Sequence, residues 1–192
     1  MYPSYQKSGG SWIEKTLHDF QGTGTDGGNP VGGLIFDGAG NLYGTTSTGG
    51  STGICNQYGC GTVFKLSPKS GGGGWSEKIL YSFQGYPTDG SGSTASLIFD
   101  TAGNLFGTTE SGGIHICAGG SSCGTVFELS PQSGKAWHEI VLYDFGGPFY
   151  RDGDHPFAGV TLDPAGNLYG TTMNGGTCSQ DGGCGTVFEI TP

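Results

Sequence analysis

The feature that most constrains this chain is a phrase written three times. "CGTVFKLSP" begins at Cys60, "CGTVFELSP" at Cys123 and "CGTVFEITP" at Cys184. Leu34, Leu97 and Val160 stand 63 residues apart, as do Gly40-Asn41, Gly103-Asn104 and Gly166-Asn167. Trp12, Trp75 and Trp137 follow at intervals of 63 and 62. A unit repeated at fixed period cannot bury its apolar face alone and completes its core by stacking on its neighbours. Three copies account for 1–192 as a single repeat domain, with units at about 21–83, 84–145 and 146–192, the last joined by 1–20.

Each copy offers four strands. The first is "GLIFD", "SLIFD" or "GVTLD", from Gly33, Ser96 and Gly159. A turn opened by Asp37, Asp100 or Asp163 follows, because an aspartate can accept hydrogen bonds from its own turn and Gly-Asn tolerates positive φ. "LYGTT" or "LFGTT" is the second strand and "GTVFKLS" or its copies the third, ended by Pro68, Pro131 or Pro192. The fourth is "WIEKTLHDF", "WSEKILYSF" or "WHEIVLYDF". It is close to period 2, with Trp12, Glu14, Thr16, His18 and Phe20 on one side, but its apolar and polar residues do not alternate cleanly. That suits a strand packed on both faces.

No stretch carries the 3.6-residue apolar stripe of a helix. The 42 glycines supply positive φ for tight turns, and 12% aromatics give an ordered core. The expectation is an all-β fold of three four-stranded meanders, propeller-like. The net charge of −9 offers no basic stripe for nucleic acid, and no apolar run approaches the ~20 residues of a membrane span.

The pattern "DGGNPVGGLIFDGAGNLYGTT…CGTVFKLSP" resembles the GloVer tandem repeat of Gloeobacter and Verrucomicrobia, over essentially all of 14–192. "DxxGNLYGTT" also resembles the inner hairpin of NHL-type propellers. The middle copy departs, with Ser93 in the place of Pro30 and Pro156, and Ser96 in that of Gly33. The resemblance implies a bacterial surface or secreted protein. It brings no established catalytic residues.

Six cysteines fall in pairs at the same phase of each copy: Cys55/Cys60, Cys117/Cys123 and Cys178/Cys184. The spacing is wider than a zinc knuckle and no histidine recurs beside it, so local disulfides are expected. They place the chain in an oxidising compartment, and no signal peptide is visible at "MYPSYQKSGG". Each bridge should contribute about 2–3 kcal/mol through loop entropy.

The two termini share a phase. "YPSYQKSGGSWIEK" matches the linker "SPKSGGGGWSEK", so residues 12–20 are expected to complete the last repeat. Propellers have about 4–8 blades, and three are too few. The options are half of a six-bladed dimer, a strand-exchanged filament, a three-fold β-prism or trefoil, or a piece of a longer array.

Chemistry is sparse. "GTGTDG" from Gly22 matches a glycine-rich nucleotide motif but opens no helix, so it is a turn-rich loop. His18, His115, His138 and His155 form no repeated set. Asp26, Asp89 and Asp152 share one Asp-Gly loop and, with the extra Asp154, are the candidate ligand-binding residues. They would take a cation such as Ca²⁺, or sugar hydroxyls, at the mouth of an axis. No other cofactor is expected. The first functional reading is an extracellular structural or adhesive module self-associating through its terminal strands. The alternative is a glycan- or cation-binding domain. A propeller hydrolase or lyase using Glu110, Arg151, Asp154 and His155 stands behind both.

Overall fold

The computed structural model describes residues 12–51, 54–117, 120–146, 152–178 and 182–192. The first repeat contains β1 (Gly27–Gly28), β2 (Ile35–Phe36), β3 (Leu42–Thr46), β4 (Thr48–Gly49), β5 (Thr62–Pro68) and β6 (Trp75–Ser82). The second contains β7 (Gly90–Ser91), β8 (Ile98–Phe99), β9 (Leu105–Thr109), β10 (Ser111–Gly112), β11 (Thr125–Ser130) and β12 (His138–Asp144). The third contains β13 (Thr161–Leu162), β14 (Leu168–Thr172) and β15 (Thr186–Ile190). The fold is all-β. Its larger antiparallel sheets run β2-β3-β5-β6, β8-β9-β11-β12 and β13-β14-β15, with β1-β4 and β7-β10 as small ribbons.

The turn chemistry explains the shared hairpin. Asp37 Oδ1 accepts the backbone N–H groups of Ala39 and Asn41, both at 2.9 Å, and Oδ2 accepts Asn41 Nδ2 at 2.6 Å. Asp100 and Asp163 repeat the arrangement. Gly40, Gly103 and Gly166 follow at φ +82, +89 and +93°, where a Cβ would be strained. Burial alone would raise the Asp37 carboxyl, but the bonds from Asn41, Tyr43 and Ala39 outweigh it and hold the group down at about 2.

One glycine in each "LYGTT"-type strand allows close approach. A Cβ on Gly44, Gly107 or Gly170 would lie within 2.7 Å of the ring of Phe64, Phe127 or Phe188, its partner across the sheet. The tip of the ring therefore fills the space that a side chain at the glycine would take. Threonines tie the same strand pair at its far end. Thr46–Thr62, Thr109–Thr125 and Thr172–Thr186 share hydroxyl hydrogen bonds of 2.8 Å.

The mixed pattern of the fourth strand has a specific cause. Phe64 pairs with Ile79 but Val63 with Tyr81, so Leu80 is an extra residue, and Leu142 is its counterpart between Val141 and Tyr143. This β-bulge reverses which face the side chains occupy. Trp75, before the bulge, packs with Leu42, Phe64 and Leu66. Leu80, Tyr81 and Phe83 pack instead with Leu97, Leu105 and Phe127 of the second repeat. A single face running from Trp to Phe is thus corrected to two half-faces.

The cores lie between repeats, in series. Leu17 and Phe20 pack on Phe64 and Leu66 of the first sheet. Tyr43, Val63 and Phe83 meet Leu97, Leu105, Phe127 and Leu129 of the second. Phe106, Val126 and Phe145 meet Val160 and Leu168 of the third, with Phe188 and Ile190 packed against them.

Residues 12–20 differ from expectation within this chain. They form no strand and do not pair with β15; they lie against the first repeat instead. Their place is nevertheless that of a fourth strand. Phe20 meets Phe64 edge-on at 5.0 Å, as Phe83 meets Phe127 at 5.2 Å and Phe145 meets Phe188 at 5.1 Å. The segment stands where the closing strand of a preceding repeat would stand.

Candidate functional site

The candidate aspartates sit at the junctions between repeats. Asp26 Oδ2 accepts the Gln21 N–H at 2.7 Å and Oδ1 accepts the Gly27 N–H at 2.7 Å. Asp89 does the same with Gln84 at 2.7 Å and Gly90 at 2.6 Å, and accepts the Tyr81 hydroxyl at 2.9 Å. Asp152 accepts the Tyr143 hydroxyl at 2.7 Å. Asp89 and Asp152 tie the last strand of one repeat to the loop that opens the next, and Asp26 ties the segment before the first repeat to its opening loop in the same way. Asp26 and Asp89 are buried while doing so.

A glutamate from the following fourth strand closes the first two junctions. Glu139 lies near Asp89, and burial, then the charges of Asp89 and Asp144, push its carboxyl up to about 8. Its Oε1 is buried without a hydrogen-bond partner, as is Oε1 of Glu77. Glu77 stands at the Asp26 junction and is raised in the same sense, by burial first and then by Asp26. In that junction His18 replaces the tyrosine, its Nε2 lying 3.2 Å from Asp26 Oδ1. His18, Asp26 and Glu77 bring ligand-type atoms within 4.8 Å of one another, so these three could hold a cation. Sequence reading reached Asp26 alone. His18 and Glu77 are far apart in the chain, but they are the first-copy and second-copy members of the fourth-strand series that also holds Tyr81, Tyr143, Glu14 and Glu139.

Asp154 is occupied differently. It pairs with its neighbour His155 through Nδ1 and accepts Asn174 Nδ2 at 2.9 Å. His155 Nε2 lies 3.3 Å from Ser121 Oγ in the second cysteine loop, which gives a Ser-His-Asp series. Its surroundings are those of a brace. The His155 N–H donates to Cys123 O at 2.8 Å, as Gly92 N–H donates to Cys60 O at 2.9 Å. Asn29, Gly92 and His155 occupy one repeat position, all at positive φ, and two of the three carry no imidazole. The task shared by all three is backbone geometry. Arg151 lies outside the described residues, and the Glu110 N–H donates to Gly92 O at 3.3 Å, away from this series. The six cysteines form the three expected bridges, 55–60, 117–123 and 178–184.

The third sheet ends on an uncovered edge. Val63 and Val126 are fully buried beneath the following repeat, whereas their counterpart Val187 is 82% exposed. Thr45 and Thr108 donate to Ala95 O and Ala158 O of the following repeat at 2.9 and 3.0 Å; their counterpart Thr171 is exposed. Among the described residues no strand lies on the outer edge of β15. A hollow of about 250 Å³ remains beside it, lined by Tyr143, Phe145, Asp152, Phe188, Glu189 and Ile190. The other end is bare in a complementary way. Leu34 is 50% exposed, whereas its counterparts Leu97 and Val160 are buried.

No helix among the described residues is long and apolar enough to cross a membrane. Three disulfides hint at a location outside the reducing cytoplasm. A search of curated proteins returns no match. A family model described as the Gloeobacter/Verrucomicrobia repeat matches residues 4–192, the span that carries all three sheets and the segment before them, and the chain belongs to that family.

Proposed function

We propose that this protein is an extracellular structural repeat module of a bacterial surface, which assembles head to tail through its terminal strands. The observation that carries this reading is the contrast between Val187, exposed, and Val63 and Val126, fully buried. Residues 12–20 supply the matching strand, since they already occupy the fourth-strand place of a preceding repeat. An apolar, unpaired strand edge is an association surface unless something covers it. Head-to-tail contacts close into a ring or extend as a fibre, according to the rotation per repeat. Light scattering over a range of concentrations tests the reading. The full chain should gain mass with concentration, and a chain lacking residues 1–20 should remain a monomer. Equal masses for the two would overturn it.

A second reading, cation binding at the first junction, is supported by the proximity of His18, Asp26 and Glu77. An imidazole with two carboxylates is a donor set for a transition metal more than for Ca²⁺. Calorimetric titration with Zn²⁺ of the native chain and of Glu77→Gln tests it: heat in the first and none in the second is expected, and no heat in either removes the reading.

A further inference from the structure

The hollow beside β15 has closed counterparts in the first two repeats, and they show what fits it. In the first repeat the tryptophan that opens the fourth strand, Trp75, packs on Phe64 and Leu66. In the second, Trp137 packs on the cluster holding Phe127 and Leu129. Two residues further on, Glu77 and Glu139 reach the junction aspartates Asp26 and Asp89. In the third repeat the corresponding floor is Phe188 and Ile190, and the junction is Tyr143 with Asp152. The third members of the tryptophan and glutamate series are Trp12 and Glu14. Trp12 is 94% exposed, and no described residue of its own chain covers it. The hollow, at about 250 Å³, lies below the roughly 300–1,000 Å³ of small-molecule pockets and suits a side chain instead.

We infer that the hollow lined by Tyr143, Phe145, Asp152, Phe188 and Ile190 is the docking pocket for Trp12 and Glu14 of a second copy of this chain. The inference rests on the head-to-tail reading above and fixes its register. Three backbone and hydroxyl contacts follow from the same repeat equivalence. Phe83 N–H donates to Gly61 O and Phe145 N–H to Gly124 O, so Phe20 N–H of the incoming copy meets Gly185 O. Gly92 and His155 N–H groups donate to Cys60 O and Cys123 O, so Asn29 N–H of the incoming copy meets Cys184 O. Thr171 Oγ1 then donates to Gly32 O, as Thr45 and Thr108 donate to Ala95 and Ala158. An indole desolvated in an apolar pocket beside a hydroxyl is the kind of anchor that dominates an interface.

Because Trp12 is almost wholly exposed in the free chain, replacing it leaves that chain's fold intact. The test places a photoreactive benzoylphenylalanine at position 12 and mixes this chain with an isotope-labelled native copy. Crosslinks between chains are then mapped by mass, and light scattering sizes the same sample. Crosslinking to the labelled segments 143–145 and 186–190 is expected, together with at least a ten-fold weaker association of Trp12→Ala. Assembly with crosslinks elsewhere, or with Trp12→Ala associating normally, would overturn the docking pocket while leaving head-to-tail assembly standing. No assembly by the native chain at any concentration would overturn both.

Discussion

The second and third repeats use almost the same words and meet different fates. "GTVFELS" at Gly124 forms a central strand buried on both faces. "GTVFEIT" at Gly185 forms an edge with one face open. Val126 is fully buried and Val187 is not, although both pair with the same residue of the preceding strand, Thr108 or Thr171. The difference lies in the neighbours: the second repeat has β12 beside it and the third repeat above it. In a serial architecture the sequence of a unit specifies its sheet, and its burial is conferred by the next unit.

This contrast can be broken experimentally. The largest effect should come from the ring that covers each strand glycine. Phe127→Ala removes a fully buried side chain and should cost about 3–5 kcal/mol in urea unfolding. Phe188→Ala in the monomeric chain should cost clearly less, because one side of that ring faces the hollow. Equal costs would mean that the third repeat is as well covered as the second.

A smaller effect depends on pH. Glu139 titrates at about 8 in the folded chain and at about 4.5 when free. The folded state therefore holds a proton that the unfolded chain releases. Stability from this group is complete below about pH 4.5 and is lost as the pH rises through 8. Melting temperature should fall over that window, and Glu139→Gln should flatten the fall. Glu14→Gln, at an exposed position, should leave the profile of the monomer unchanged. A flat native profile would show that Glu139 is not held neutral beside Asp89.

The smallest effect isolates the uncovered edge itself. Val126→Thr buries a hydroxyl in an apolar site and should cost about 1–3 kcal/mol. Val187→Thr should change monomer stability by no more than about 0.5 kcal/mol, as a surface substitution does. In the assembled protein the two costs should converge, which makes the pair a reporter of docking in chemical denaturation.

Much of the local structure was legible. Asp37, Asp100 and Asp163 accept the turn hydrogen bonds that an aspartate opening such a turn can accept. The cysteine pairs bridge as their spacing and phase indicated. The face pattern of the fourth strand was not legible, because the bulge at Leu80 and Leu142 shifts the period midway and no residue type announces it. The junction glutamates were missed for a related reason. Glu77 and Glu139 sit at the opposite end of the same repeat from Asp26 and Asp89, and no local pattern links them.

By itself the sequence determined the unit: its period, its strands, its Asp-opened turn and its stapled loop. These are short-range properties, set by backbone sterics and by hydrogen bonds within a few residues. The tertiary structure decided which copies are covered. It set residues 12–20 against the first sheet instead of the last and left β15 and its hollow open. That outcome depends on which surfaces meet across a full repeat, and three near-identical units carry almost no local signal to distinguish the covered copy from the open one.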